Sequence, residues 1–174
     1  ECWGSNAKRQ STVPTELQAR KFLDVAAGKN HTVGLLDNGQ VVCWGDNTFG
    51  QSGVPAELGP CVMIAAGDNH TAALRSDGTA ICWGANQTGQ ATVPEGLGNC
   101  VSISAAGNRT AVIRNDGGIS GWGYGAYQLP PKSEWRPYVD ISLGAYYITA
   151  LDDQGQSSIF AQTTSGVGSP SAEA

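Results

Sequence analysis

Several unrelated residue types in this chain share one spacing. Thr32, Thr71, Thr110 and Thr149 stand 39 residues apart, and the Trp-Gly pairs at Trp44, Trp83 and Trp122 keep the same step. An earlier Trp-Gly pair stands at Trp3. Val-Pro recurs at Val13-Pro14, Val54-Pro55 and Val93-Pro94, and Ala-Ala-Gly triplets close at Gly28, Gly67 and Gly107. A period in this range marks a solenoid, a propeller or a stacked array.

One unit, from Cys61 to Pro94, shows what repeats. Cys61-Val-Met-Ile-Ala-Ala-Gly67 is a short apolar run closed by glycine, the pattern of a buried strand. His70-Thr-Ala-Ala-Leu-Arg75 predicts a second strand, and Ser76-Asp77-Gly78 a tight two-residue-type hairpin turn. Asp37-Asn38-Gly39 and Asn115-Asp116-Gly117 are the equivalent turns. A third strand, Thr79-Ala-Ile-Cys-Trp-Gly84, follows, and Val93-Pro94 carries the chain onward at a strand edge or linker. Each unit is a meander too small to bury its own faces, so successive units must stack. Stacking around an axis gives propeller blades. Val33, Ala72, Ala111 and Ala150 are small at equivalent places, as strands crowded near an axis require.

Composition agrees with many short strands. The chain has 24 glycines and 8 prolines, 40% hydrophobic residues and 14% charged ones. That is enough apolar material for a core, and no run approaches the roughly 20 residues of a membrane-spanning helix. Glu1-Cys2-Trp3-Gly4 has no basic or apolar leader pattern, so no signal peptide is visible. The net charge is −5, with no cationic run longer than Lys8-Arg9 or Arg20-Lys21. Nucleic-acid binding needs a basic face, so DNA and RNA are not expected partners.

The succession Ala-Ala-Gly, His-Thr, Asp-Gly, Trp-Gly-x-Asn-x-x-Gly-Gln and Val-Pro, carried best by residues 65–94 and 26–55, resembles the regulator of chromosome condensation repeat. A third copy keeps Thr110, Asp116-Gly117 and Trp122-Gly123 but has Arg109 in place of histidine. A fourth keeps Gly144, Thr149 and Gly155 and lacks the tryptophan. The resemblance implies an all-β fold, typically a seven-bladed propeller. The 39-residue unit is similar to compact bacterial members such as the propeller-type β-lactamase inhibitory protein. Seven such units exceed the 174 residues present, so the expectation is about four blades of a truncated propeller with an unpaired leading strand. The expected division is a partial blade at 1–14, repeats at 15–55, 56–94, 95–131 and 132–162, and a flexible Ser/Gly/Pro-rich tail at 163–174.

No catalytic constellation is predicted. His31 and His70 are copies of one repeat position, which suits a blade-stabilising hydrogen bond better than catalysis. Cys and His do not cluster at zinc-ligand spacing, so neither a metal nor a cofactor is expected. The sequons at Asn30, Asn69, Asn86 and Asn108 are, in three of the four cases, by-products of the repeat. Cys43 to Cys61 and Cys82 to Cys100 are each 18 residues, joining the third strand of one blade to the first of the next. Two blade-to-blade disulfides with Cys2 left over fit an extracellular, periplasmic or secretory-lumen protein. The alternative is buried free thiols and a cytoplasmic setting.

The function expected is that of a non-enzymatic scaffold binding a protein partner through propeller loops. Aromatic residues crowd from Trp122 onward, so Tyr124, Tyr127, Trp135, Tyr138, Tyr146 and Tyr147 are the predicted partner-binding residues. The competing reading is a decaying repeat whose aromatics fill packing defects. The family resemblance adds two alternatives, guanine-nucleotide exchange on a small GTPase and inhibition of an enzyme. Photoreception through clustered tryptophans is disfavoured, because tryptophan occurs once per unit.

Overall fold

The computed structural model describes residues 1–125, 129, 131–144 and 146–161. Within them, twelve strands form four separate three-stranded antiparallel sheets. Blade 1 holds β1 (Phe22–Ala27), β2 (His31–Leu36) and β3 (Val41–Gly45). Blade 2 holds β4 (Cys61–Ala66), β5 (His70–Arg75) and β6 (Ala80–Gly84). Blade 3 holds β7 (Cys100–Ala106), β8 (Arg109–Arg114) and β9 (Ile119–Gly123), and blade 4 holds β10 (Tyr138–Leu143), β11 (Tyr147–Asp152) and β12 (Ser157–Ala161). Strand order follows the chain in every sheet, as a meander requires. Cys2-Trp3-Gly4 forms no strand, yet φ at Gly4 (105°) matches Gly45 (104°), so the Trp-Gly bend is kept there.

The hairpin turns are longer than the two-residue turns expected from Asp-Gly. Leu36 O accepts from Gly39 N while Leu36 N donates to Gln40 O, which makes a three-residue turn closed by a glycine bulge. Only that glycine is left-handed, at φ 81°, 85°, 82° and 78° in Gly39, Gly78, Gly117 and Gly155. A side chain there would be strained in all four blades.

The blades bury apolar surface against one another. Val33, Leu35 and Val41 of blade 1 pack on Cys61, Ile64 and Trp83 of blade 2. Ala72, Leu74 and Ala80 pack on Cys100, Ile103 and Val112, and Ala111, Ile113 and Ile119 on Tyr138, Ile141 and Ile148. The first strands of successive blades lie against each other, which sets them on the inner side of the arc. The second strand is therefore the middle strand of its blade rather than the inner one. Its residues are small because it is covered on both faces. The arc is open: Val25 is 61% exposed, whereas Ile64, Ile103 and Ile141, at the same blade position, are 5–6% exposed.

The fourth blade departs from the 39-residue step. Ala150 pairs with Ile141 as Val112 pairs with Ile103, a step of 38 (112 to 150). Gly144 N donates to Tyr147 O as Gly67 N donates to His70 O, so Tyr147 occupies the histidine position and Ile148 the threonine position. Thr149, aligned with Thr110 by sequence spacing alone, instead donates to Ser142 O within its own blade.

Candidate functional site

Each blade has two ends. The turn end carries the second-to-third-strand turns and the starts of the first strands. The loop end carries the first-to-second-strand loops and the ends of the third strands.

At the loop end one hydrogen-bond network repeats from blade to blade. Thr71 Oγ1 and Trp83 Nε1 both donate to Gln51 O, at 2.8 and 3.0 Å. Thr32 with Trp44 on Gln10 O, and Thr110 with Trp122 on Gln90 O, repeat the arrangement. His31 Nε2 lies 3.0 Å from Thr71 Oγ1 and His70 Nε2 2.9 Å from Thr110 Oγ1, each across a blade boundary. Since the threonine proton goes to the glutamine carbonyl, the histidine must donate from Nε2, leaving Nδ1 bare, buried and unpaired. A Cβ on Gly67 would overlap the His70 ring, which explains the glycine before each histidine. The predicted structural role of His31 and His70 is what this geometry displays. Spacing alone did not show the glutamine carbonyls, although the glutamine seven residues after Trp3, Trp44 and Trp83 was their visible trace.

Burial favours the neutral imidazole. It holds His31 below its ordinary value and, with His31 nearby, brings His70 down to about 4. In blade 3 the histidine is Arg109, whose Nε donates to Tyr124 O and whose guanidinium lies 5.5 Å from the Tyr124 ring centre. The hydroxyls of Thr32, Thr71 and Thr110, which complete three of the sequons, are all engaged in this network.

The four cysteines expected to form disulfides stand as free thiols, as does Cys2. Cys43 packs on the layer containing Cys61, and Cys82 on the layer containing Cys100, but neither pair stands at disulfide distance. There they serve as small apolar groups. Burial pushes the Cys43 and Cys82 thiols up to about 12. Cys61 and Cys100 direct Sγ toward the carbonyls of Gly59 and Gly98, at 3.7 and 3.6 Å.

The predicted aromatic site divides. Tyr124 and Tyr146 are 59% and 72% exposed at the loop end, and Tyr147 is 48% exposed on the open face of blade 4. Trp135 lies at the opposite, turn end, with the Arg114 guanidinium 4.6 Å from its ring. Arg109 and Arg114 begin and end β8, so Tyr124 and Trp135 sit a full strand apart. Tyr138 is a core residue at 5% exposure, edge-on to Phe160 and bonded to Ser158. Tyr127 lies outside the described residues. Among the described residues no three His, Cys, Asp or Glu side chains converge to hold a metal, and no helix is long and apolar enough to cross a membrane.

Stacked three-stranded meanders tied by a recurring inter-blade network define a β-propeller protein. Residues 22–51 and 62–90 match the Regulator of chromosome condensation (RCC1) repeat family, and the chain is a propeller protein that carries that repeat in its first two blades. No curated protein sequence matches it. Among solved structures it is similar to the CRINKLY WD40 ectodomain of the Arabidopsis thaliana receptor kinase ACR4, at 24% identity and TM-score 0.71, covering 95% of this chain and 62% of that one. It is similar to human WBSCR16 at 20% identity and TM-score 0.74, covering 91% and 56%. Saccharomyces cerevisiae Prp20p, reported with its binding to Gsp1p and histones, follows at 21% identity and TM-score 0.64, covering 84% and 46%. At these identities the likeness is one of fold, and the chain spans less than two thirds of each.

Proposed function

We propose that the chain is a protein-binding scaffold that performs no catalysis, and that its loop end at blades 3 and 4 contacts the partner. The observation that carries this is the contrast between Tyr124 and Tyr146, 59% and 72% exposed, and Trp44 and Trp83, 7% and 8% exposed, on one backbone. An anchor needs apolar area left to bury on binding, and these two tyrosines have it. Arg109 Nε donates to Tyr124 O and its guanidinium lies against the Tyr124 ring, which holds one of the two anchors in place and lowers the ordering cost of association. Affinity capture with the wild-type chain and with a Tyr124→Ala, Tyr146→Ala variant tests the proposal. A partner retained by the wild type and lost by an equally stable variant supports it; identical captured sets overturn the site.

Guanine-nucleotide exchange remains the finer alternative, supported by the fold shared with Prp20p, and enzyme inhibition is a special case of the scaffold. Accelerated nucleotide release from a small GTPase would establish exchange.

A further inference from the structure

The two outer faces of the arc correspond to each other. On the side away from blade 2, blade 1 presents Phe22, Val25 and Trp44, which hold the places of Cys61, Ile64 and Trp83 in blade 2. In blade 2 those residues are covered by Val33, Leu35 and Val41 of the blade before. In blade 1 Val25 is exposed, and Leu17 is half-buried where Leu58 is buried. A cleft of about 520 Å³ opens there among Cys2, Val13, Leu17, Phe22, Val25 and Trp44. Blade 4 carries the reciprocal face. Leu151 and Ile159 stand at the places of Leu35 and Cys43, which blade 1 packs against blade 2, and are 39% and 69% exposed.

The hydrogen-bond network has loose ends on the same two faces. His31 and His70 each reach forward to a threonine hydroxyl of the next blade. Thr32 is the first threonine of that series. It donates to Gln10 O, and among the described residues no side chain donates to it. Tyr147 holds the histidine place in blade 4. Its ring lies over Gly144 as the His70 ring lies over Gly67, since a Cβ on either glycine would meet the ring. Tyr147 therefore offers a hydroxyl donor at the place from which the histidines reach the next blade.

We propose that the outer face of blade 4 docks on the open face of blade 1 of a second copy of this chain. Leu151 and Ile159 enter the cleft beside Phe22 and Val25, and the Tyr147 hydroxyl donates to Thr32 Oγ1. The contact continues the interface that already joins blade 1 to blade 2 and blade 2 to blade 3. It is head-to-tail, and two such contacts close two four-bladed arcs into one ring. Three features make the contact reversible. Thr149 and Ser157 are polar where Val33 and Val41 are apolar. Cys2, on one wall of the cleft, must yield to the incoming blade. Ser102 Oγ lies 3.5 Å from Asp140 Oδ1 across the boundary of blades 3 and 4, and the same relation sets Asp140 of one copy against Asp24 of the next. These like charges oppose association. The proposal stands apart from the loop-end site.

Sedimentation velocity of the chain over roughly 1–100 µM tests it. The expected result is a concentration-dependent species of twice the 18.0 kDa chain mass. Val25→Asp and Ile159→Asp should each weaken association about tenfold or more, with an unchanged circular dichroism spectrum because both side chains are exposed. Mixing the two variants should restore dimers that neither forms alone, since the intact blade 4 of one meets the intact blade 1 of the other. Asp24→Asn should tighten association about threefold or more, and Tyr147→Phe should loosen it by a similar factor. A chain that stays monomeric throughout would overturn the proposal. So would a dimer indifferent to Val25 and Ile159, or a mixture that restores nothing, which marks a face-to-same-face contact. Self-association that depends instead on Tyr124 and Tyr146 would move the contact to the loop end and also overturn it.

Discussion

His70 Nε2 lies 2.9 Å from Thr110 Oγ1 across the boundary between blades 2 and 3, and that hydroxyl donates in turn to Gln90 O. Both side chains are fully buried. A side chain of one blade, a hydroxyl of the next and a linker carbonyl therefore form one chain of hydrogen bonds. Its members depend on each other, because removing one strands a buried polar partner.

Thr110→Val should accordingly cost about 1–3 kcal/mol of stability, because the His70 N–H is left unpaired. Thr149→Val should stay within about 0.5 kcal/mol, since Thr149 bonds only within its own blade. Urea unfolding of the two variants separates them; equal losses would refute the placement of Thr149 outside the network.

Acid should loosen the blade boundaries. His70 is held at about 4 in the fold against 6.5 when free. Its neutral form favours folding fully above pH 6.5, and that contribution disappears as the pH falls toward 4. The loss amounts to about 3 kcal/mol, with His31 acting in the same direction. Asp77 and Asp152, held below the ordinary carboxylate value, lose their contributions at still lower pH. Unfolding midpoints at pH 7.5, 5.5 and 4 should fall in the wild type and fall less in His70→Gln. Parallel curves for the two proteins would contradict the assignment.

Cys43 and Cys82 should resist a thiol reagent at pH 8 in the folded protein and react after denaturation, because burial holds their thiols near 12. Equal labelling of these two thiols in the folded and the denatured protein would contradict their burial.

Trp83→Ala should cost about 3–5 kcal/mol, the loss typical of a buried aromatic, and it also strips a donor from Gln51 O. Tyr146→Ala should change stability by less than about 0.5 kcal/mol, as the ring is 72% exposed. Calorimetric melting of both variants measures the difference.

The repeat spacing alone determined that the chain is a row of small β meanders, because residues such as Trp83, Gly84 and Thr71 recur only where backbone geometry and hydrogen bonding recur. It also determined that His31 and His70 share one role. Tertiary structure decided what spacing cannot encode. Thr149 keeps the 39-residue step in the sequence, yet the register of blade 4 moves it out of the network by one position. Tyr138 and Tyr146 look alike in a run of aromatics, but one faces blade 3 and the other faces solvent. Trp135 and Tyr124 are near in sequence and lie at opposite ends of β8. Val62, Val101 and Val139 read as ordinary strand residues until the pairing shows them skipped at β-bulges. In each case the deciding quantity is which neighbour covers a side chain, and in stacked blades that neighbour comes from another repeat.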